Sequence, residues 1–210
     1  MKAENFTGIP VRGASQVNLS GLVQAGSHSL LLSAPGAKAG VSQSAMTLAA
    51  ELVRSTGHKV LIVDASSSES GLTRQMDLET SRGLLNIDDE TDIDLLCLEE
   101  KRKGFHVMPR GNATGQSSQK LYQSIEKVLT RLKNKFRFIL IDSDPVYSNS
   151  NTVEICSLVD GVVLVLEAEK TRWQVAGAAR KRLEQSGGTV VGCVCNNRRY
   201  YTPGWIYNKL

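Results

Sequence analysis

Short runs of consecutive apolar residues recur along the chain, separated by longer polar or mixed segments. Because the apolar residues in these runs are continuous and do not alternate with polar ones, each run is typical of a β-strand that is buried on both faces. Such strands occur in parallel sheets that helices cover on both sides. The five clear runs are 29–32, 59–63, 136–141, 161–166 and 189–195, and a weaker one is 105–108.

Three of the intervening segments, 42–55, 117–134 and 171–186, place apolar residues at helical spacing. The third segment opens with Thr171 and Gln174, which have the spacing of a capping box. Strands that alternate with helices form βαβ units. The sequence therefore predicts an α/β fold: a doubly wound, mainly parallel sheet with helices on both faces.

Two regions fall outside this alternation. Residues 1–27 are rich in Gly, Ser, Asn and Gln, which predicts a loose N-terminal extension with at most a short helix. Residues 65–100 have weak periodicity, which predicts loops and short helices at the mouth of the sheet. The predicted organisation is one domain over residues 28–197, followed by a basic, aromatic tail over residues 198–210.

Composition restricts the class of protein further. A chain of 210 residues with 41% hydrophobic and 22% charged side chains is neither disordered nor fibrous. The longest apolar run, 162–166, is far shorter than the roughly 20 residues that cross a bilayer, and residues 1–10 lack the apolar stretch of a secretory signal. We therefore expect a cytoplasmic protein that lies at the inner face of the membrane only when recruited there.

The charge is modest but unevenly distributed. A net charge of +4 does not indicate a nucleic-acid partner. Basic residues gather in the segments 101–103, 127–137 and 180–182. Such clusters are usually solvated helix faces or loop ends, and the alternative is an anionic partner or a membrane surface.

Ligands of open parallel sheets bind beyond the carboxyl ends of the strands, so the residues that follow each apolar run are the candidates for chemistry. After the first run, residues 33–42 form a loop of small side chains that leads into a predicted helix. Asp64 directly follows the second run, and Asp142 follows the run 136–141. We expect these three places to lie together.

The loop after the first run has part of the chemistry of a phosphate-binding loop. Gly36 and Gly40 allow backbone N–H groups to surround an anion at a helix N-terminus. The pattern GxxxxGK[ST] also requires a lysine for the outer phosphates and a Ser or Thr for Mg²⁺. Ser42 supplies the hydroxyl, but Val41 stands in the lysine's place and Lys38 is the only cation in the loop. The sequence therefore predicts either no nucleotide or weakly bound ATP or ADP with Mg²⁺, and no efficient phosphoryl transfer.

The two aspartates admit two interpretations. A carboxylate at the end of a buried strand is costly unless it is solvated, hydrogen-bonded or near a cation. Asp64 and Asp142 could hold hydrated Mg²⁺ together with Ser42 and orient an attacking hydroxyl. Equally, they could cap the loops that follow them through Asx-turns.

The order of these features, from about residue 29 to residue 197, resembles the bacterial tyrosine autokinases of capsule and exopolysaccharide synthesis, which belong to the MinD/ParA-like P-loop ATPases. The matching segments are 33–36, 47–49, 59–65, 104–111, 138–145, 159–165 and 191–196. The resemblance implies a doubly wound P-loop fold, association of subunits into rings and a tyrosine-rich tail as phosphoacceptor. It also implies a membrane-embedded chain-length regulator, or another export protein, as partner.

The departures from this family fall on its catalytic positions. The loop is two residues longer, and Val41 replaces the lysine. Ser66 replaces the second aspartate of the family's Asp-x-Asp motif, and Asp144 replaces a proline, whereas Asp64 and Asp142 are retained. These departures predict a catalytically impaired protein that acts as a regulatory or scaffolding subunit in exopolysaccharide or capsule synthesis or export.

Two alternative functions stay open. One is an active autokinase in which Lys38 takes over the role of the missing lysine. The other is a positioning ATPase of the MinD/ParA type.

The end of the chain supplies the remaining candidates. Tyr200, Tyr201 and Tyr207 are possible phosphoacceptors by the resemblance, but a tail of basic and aromatic residues could also cover a sheet edge or dock on a membrane or partner. Asn196 follows the last predicted strand, where related ATPases contact adenine. A turn-forming role explains this asparagine equally well.

Overall fold

The computed structural model describes residues 8–9, 28–68, 71–112 and 117–196. The strands in this part of the chain are β1 (Gly8–Ile9), β2 (His28–Ser33), β3 (Val60–Asp64), β4 (Leu98–Glu99), β5 (His106–Met108), β6 (Phe138–Asp142), β7 (Gly161–Glu167) and β8 (Val190–Asn196). They form one sheet in the order β1-β8-β7-β2-β6-β3-β5-β4. Neighbouring strands are parallel, except that β4 runs antiparallel to β5.

Helices occupy most of the connections between the strands. The α-helices of the described residues are α1 (Val41–Thr56), α2 (Leu72–Gln75), α3 (Ser118–Leu132), α4 (Asn151–Ile155) and α5 (Trp173–Gln185). Two 3₁₀ helices, Leu84–Asn86 and Ile93–Leu96, lie in the long connection between β3 and β4. None of the helices in the described part of the chain is both long and apolar enough to cross a bilayer.

The central strands bury side chains on both faces of the sheet. In β2, Leu30 and Leu32 belong to an apolar cluster that includes Leu48 of α1. Leu31, which points to the opposite face, belongs to a second cluster with Ile125 of α3 and Leu183 of α5. Helices therefore cover both faces, which confirms the predicted doubly wound α/β fold.

The six predicted strands and three predicted helices are all present, with ends within about two residues of the predicted ones. The predicted capping box of α5 is wrong. The residue before this helix is Arg172, and no side chain caps it. The Thr171 hydroxyl instead accepts a hydrogen bond from the backbone N–H of Glu167, at 3.0 Å. The capping-box spacing was misleading because the Thr171 hydroxyl bonds to the turn that precedes the helix and not to the first turn of the helix.

The two ends of the chain lie mostly outside the described residues. Of the predicted N-terminal extension, only Gly8–Ile9 are described, and they pair with Cys193 and Val194 of β8 as an edge strand that the sequence pattern did not predict. The tail over residues 198–210 lies outside the described residues, so its predicted boundary stays a prediction.

Candidate functional site

A cavity of about 440 Å³ lies at the carboxyl end of the sheet. Its walls come from three loops, which follow β2, β3 and β6 and meet because these strands are parallel neighbours. The residues of the predicted site that line it are Gly36, Lys38, Gly40, Val41, Ser42 and Asp142. Asp64 and Asn196 support the surrounding loops without lining the cavity.

The first wall is the loop between β2 and α1. Gly40 has φ +81° and precedes the first turn of α1, where the backbone N–H of Ser44 donates to the Gly40 carbonyl at 2.9 Å. The positive φ favours glycine here, and a Cβ at this position would lie 2.2 Å from Nδ2 of Asn196, so the asparagine side chain would have to move. The first turn of α1 forms part of the cavity wall. The site therefore has the partial positive charge of a helix N-terminus, which favours an anion.

Val41 and Lys38 differ in their surroundings. Val41 is half-buried and packs against the apolar cluster beneath α1, so its side chain contributes to packing. Lys38 is exposed and has φ +65°. Among the described residues that line the cavity, Lys38 is the only cation. The charge available to an anion in this cavity comes from Lys38 and from the end of α1.

Asp142, the last residue of β6, is fully buried at the floor of the site. Neither of its carboxylate oxygens has a hydrogen-bond partner of good geometry among the described residues. Burial, reinforced by the neighbouring carboxylate of Asp64, raises the pKa of Asp142 to about 8, although the nearby Ser42 hydroxyl acts in the opposite direction. A buried carboxyl group with two unpartnered oxygens is the group in this site best prepared to receive a cation.

Asp64 lies beside Asp142, with which it is paired across β3 and β6, but its oxygens are already used. Its Oδ1 accepts the backbone N–H of Ser66 at 3.0 Å. Its Oδ2 accepts the backbone N–H and the hydroxyl of Thr73, at 2.7 and 2.6 Å. Burial raises the pKa of Asp64, while these hydrogen bonds and the charge of Arg110 limit the shift. The loop-capping interpretation therefore describes the contacts of Asp64, and it does not describe those of Asp142.

Two of the departures from the autokinase pattern contact each other. The Ser66 hydroxyl donates to Oδ1 of Asp144 at 2.8 Å. Asp144 also accepts the backbone N–H of Ser67 at 2.9 Å, the Ser67 hydroxyl at 2.7 Å and Nδ2 of Asn149 at 2.7 Å. Burial by itself raises the pKa of Asp144, but the hydrogen bonds outweigh it and hold the pKa below its ordinary value. The Asp144 carboxylate therefore faces position 66 from the loop that follows β6, and both of its oxygens accept hydrogen bonds from these donors.

The residues present fit a magnesium ion that arrives with a nucleotide. Mg²⁺ is usually held by one or two carboxylates together with phosphate oxygens and waters. Asp142 offers two unpartnered oxygens, and Ser42 offers a hydroxyl nearby. The described residues contain no group of three or more His, Cys, Asp or Glu side chains that could hold a metal ion by themselves. Phosphate oxygens would therefore complete the coordination, and the bound ion would offset their negative charge.

Asn196, the last residue of β8, contacts the loop between β2 and α1. Its side-chain Nδ2 donates to the carbonyl of Ala39 at 3.0 Å, and its backbone carbonyl accepts the backbone N–H of Ala168 at 2.8 Å. The asparagine therefore joins the end of the sheet to the loop, which sequence reasoning missed because the two residues are 157 positions apart. Its predicted contact with adenine stays a prediction. The candidate phosphoacceptors Tyr200, Tyr201 and Tyr207 lie outside the described residues.

The fold is that of the MinD/ParA-like P-loop proteins. The model of the family described as cellulose biosynthesis protein BcsQ matches residues 30–185. The chain belongs to this family.

Proteins similar to this chain include bacterial tyrosine kinases. The chain is 29% identical to the tyrosine-protein kinase CpsD of Streptococcus agalactiae over 161 residues, which are 75% of this chain and 69% of the relative. The kinase domain of the Escherichia coli tyrosine kinase ETK superposes with a TM-score of 0.76 at 19% identity, over 89% of this chain and 75% of that one.

A nucleotide-binding protein from Archaeoglobus fulgidus, solved in complex with ADP, has a TM-score of 0.59 at 21% identity, over 84% of this chain and 69% of that one. The chain is thus homologous to bacterial tyrosine kinases and shares the fold of nucleotide-binding proteins.

Proposed function

We propose that this protein is a catalytically impaired relative of the bacterial tyrosine autokinases that acts as a regulatory or scaffolding subunit in exopolysaccharide or capsule synthesis or export. The observation that carries the proposal is Val41, packed against the apolar core at the first position of α1. A lysine at this position would supply a charged hydrogen bond to phosphate, which contributes about 2 kcal/mol to binding. Its contribution to the transition state of phosphoryl transfer is larger.

The carboxylates support the same proposal. Activation of a hydroxyl nucleophile needs a carboxylate with a free oxygen within hydrogen-bond reach. The oxygens of Asp64 and Asp144 accept hydrogen bonds from their own loops. In this proposal the remaining carboxylate, Asp142, holds Mg²⁺ and is therefore not free to accept a proton from a hydroxyl. The site keeps the parts that bind a nucleotide and has no second free carboxylate to act as base.

The cofactor in this proposal is weakly bound ATP or ADP with Mg²⁺, held by the end of α1, Ser42 and Asp142. The partner is a membrane-embedded chain-length regulator or another export protein, which binds the tail over residues 198–210 or a homo-oligomer of this chain. In such a complex the nucleotide state of the cavity would serve as a signal to the partner, and no phosphate would be transferred.

Incubation of the purified full chain with Mg-ATP tests the proposal, with phosphotyrosine read out by mass spectrometry. We expect Mg-ADP and Mg-ATP to raise the melting temperature slightly and no phosphotyrosine to form. Phosphotyrosine that appears with ATP and disappears in Asp142→Ala would refute the proposal.

A second candidate function, an active autokinase, is favoured by one observation, the position of Lys38 on the cavity wall. The variant Val41→Lys separates the two functions, with Val41→Met as its matched control of similar length. If the cavity lacks an effective cation, Val41→Lys strengthens Mg-ATP binding by about tenfold or more and Val41→Met does not. If Lys38 already replaces the lysine, Val41→Lys adds little, and Lys38→Ala abolishes nucleotide binding and phosphorylation.

A further inference from the structure

The walls of the nucleotide cavity that follow β3 and β6 carry a fixed negative charge. Asp144, two residues after the end of β6, lines the cavity and is almost fully buried. Ser66 and Ser67, on the loop that follows β3, line the cavity beside it. This carboxylate is separate from the group that fits Mg²⁺, which is Asp142 together with Ser42. Its role in the cavity is therefore a question of charge.

The charge of Asp144 is hydrogen-bonded but not neutralised. Its donors are the Ser66 hydroxyl, the backbone N–H and hydroxyl of Ser67 and Nδ2 of Asn149, at 2.7 to 2.9 Å. All four donors are uncharged groups. Asp144 has no salt bridge among the described residues. Neutral donors hold a carboxylate in its ionised form and leave its net charge in place.

The other charged residues of the cavity do not compensate this one. Among the described residues that line it, Lys38 is the only cation, and Asp142 is a second carboxylate. The lysine of the pattern GxxxxGK[ST] would serve the outer phosphates, but Val41 stands in its place. The cavity thus favours an anion at the end of α1 and opposes further negative charge beside the loops that follow β3 and β6.

This charge distribution distinguishes a diphosphate from a triphosphate. A third phosphate brings additional negative charge into a cavity that already holds one uncompensated carboxylate. Mg²⁺ accompanies both nucleotides, so it does not remove the difference between them. Repulsion between buried charges is stronger than in water because the local dielectric constant is low. The triphosphate therefore pays an electrostatic penalty that the diphosphate avoids.

We propose that this cavity selects nucleoside diphosphates over triphosphates and that Asp144 sets the preference. The inference rests on the proposed function, because it takes the cavity to be a nucleotide site, and it specifies which nucleotide state the protein retains. Asp144 acts through its charge and needs no contact with the metal. In a regulatory or scaffolding subunit, the diphosphate form is then the resting state, and ATP displaces ADP only when ATP is in large excess.

Isothermal titration calorimetry of the purified full chain with Mg-ADP and with Mg-ATP tests the inference. We expect Mg-ADP to bind about tenfold more tightly than Mg-ATP. The γ-methyl ester of ATP separates charge from size, because it is larger than ATP and carries one negative charge fewer. If charge sets the preference, the ester binds more tightly than ATP itself.

The variant Asp144→Asn removes the charge and keeps the shape of the side chain. It should bring the affinities for Mg-ADP and Mg-ATP within about threefold of each other. The matched control is Asp160→Asn, which removes a carboxylate that accepts two hydrogen bonds from Ser29 at the amino end of the sheet. This control should keep the full preference for Mg-ADP.

A second variant adds a charge and leaves every donor to Asp144 in place. Ser148 is exposed and lines the cavity. Ser148→Lys should strengthen the binding of Mg-ATP more than that of Mg-ADP, because the new cation offsets the carboxylate. Ser148→Gln, its uncharged control, should leave the preference unchanged. Melting curves without ligand establish that the variants are folded.

Several results would overturn the inference. Equal affinities of the unmodified chain for Mg-ADP and Mg-ATP would do so and leave the proposed function intact. Weaker binding of the methyl ester than of ATP would assign the preference to size. An unchanged preference in both Asp144→Asn and Ser148→Lys would exclude the charge of Asp144 as its cause. If Asp144→Asn does not fold, the methyl ester and Ser148→Lys decide the question.

Failure of the proposed function has a different signature. Phosphotyrosine that forms with ATP refutes that function whichever nucleotide binds more tightly. Absence of binding for both nucleotides removes the present inference together with the nucleotide cofactor of the proposed function.

Discussion

Asp64 and Asp142 end neighbouring parallel strands and are paired with each other in the sheet, yet their surroundings differ. Asp64 accepts three hydrogen bonds from Ser66 and Thr73 and lies behind the loop that it holds. Asp142 lines the cavity and is fully buried, and among the described residues neither of its carboxylate oxygens has a hydrogen-bond partner of good geometry. The comparison separates a carboxylate that stabilises the loops from one that is available to a ligand. Equivalent positions in a sheet therefore do not imply equivalent roles.

The largest expected difference between the two aspartates is in Mg²⁺ binding and its dependence on pH, which should involve Asp142. A carboxyl group with its pKa raised to about 8 must lose a proton before it binds Mg²⁺. Affinity for Mg-nucleotide should therefore rise with pH, by up to about tenfold per pH unit, and level off above about pH 8. Asp142→Asn should abolish both the pH dependence and the benefit of Mg²⁺, as measured by isothermal titration calorimetry at several pH values. The matched control is Asp77→Asn, which removes the same charge at an exposed position.

The same carboxyl group links pH to stability. Because its pKa is raised in the folded protein, its contribution to folding is complete below its ordinary value of 3.8 and is lost as the pH rises toward about 8. Denaturation curves of Asp142→Asn should lack this loss. A variant that keeps the original pH profile would contradict the assignment of the raised pKa to Asp142.

Asp64→Asn should have the next largest effect, on stability. The change replaces the carboxylate, which accepts three hydrogen bonds, with a neutral amide. The NH₂ group of this amide would face the N–H and hydroxyl donors of Thr73. We expect the free energy of unfolding to fall by about 3 kcal/mol, measured by urea denaturation at neutral pH. Asp142→Asn is the isosteric comparison and should not lower stability under the same conditions. Equal losses in the two variants would remove the distinction between the two aspartates.

Ser66→Asp extends the comparison to the facing loop. The new carboxylate would lie against Oδ1 of Asp144, which the Ser66 hydroxyl now contacts at 2.8 Å. Repulsion between the two charges should lower the free energy of unfolding by about 2 kcal/mol, and Asp144→Asn in the same chain should restore most of it. A double-mutant cycle measures this coupling. Additive effects would show that positions 66 and 144 are independent.

Asn196→Ala should have the smallest effect of the four substitutions. It removes one partly buried hydrogen bond to the Ala39 carbonyl, which corresponds to about 1 kcal/mol of stability. If the asparagine acts only on the loop, the relative affinities for ATP and GTP stay the same, as a competition assay would show. A selective loss of affinity for adenine nucleotides would instead establish the predicted contact with adenine.

Much of the fold could be predicted from the sequence because the central strands are buried on both faces. Their residues, such as those of β6, are therefore continuously apolar, and the pattern is visible without any knowledge of neighbours. The edge strands β1 and β4 could not be predicted. Each has only two residues, and the side chains of Leu98 and Glu99 are exposed, so no apolar run marks β4. An edge strand depends on the partner that it pairs with more than on its own composition.

The sequence by itself determined the order of strands and helices, the small-residue loop before α1 and the positions of Asp64, Asp142 and Val41. These features are local, because each is defined by the residue type and its neighbours along the chain. The tertiary structure alone decided which aspartate keeps free oxygens and that Ser66 faces Asp144 across 78 positions. The physical reason is that hydrogen bonds and charge clusters depend on distances between loops, and strand order and register set these distances only once the sheet has formed.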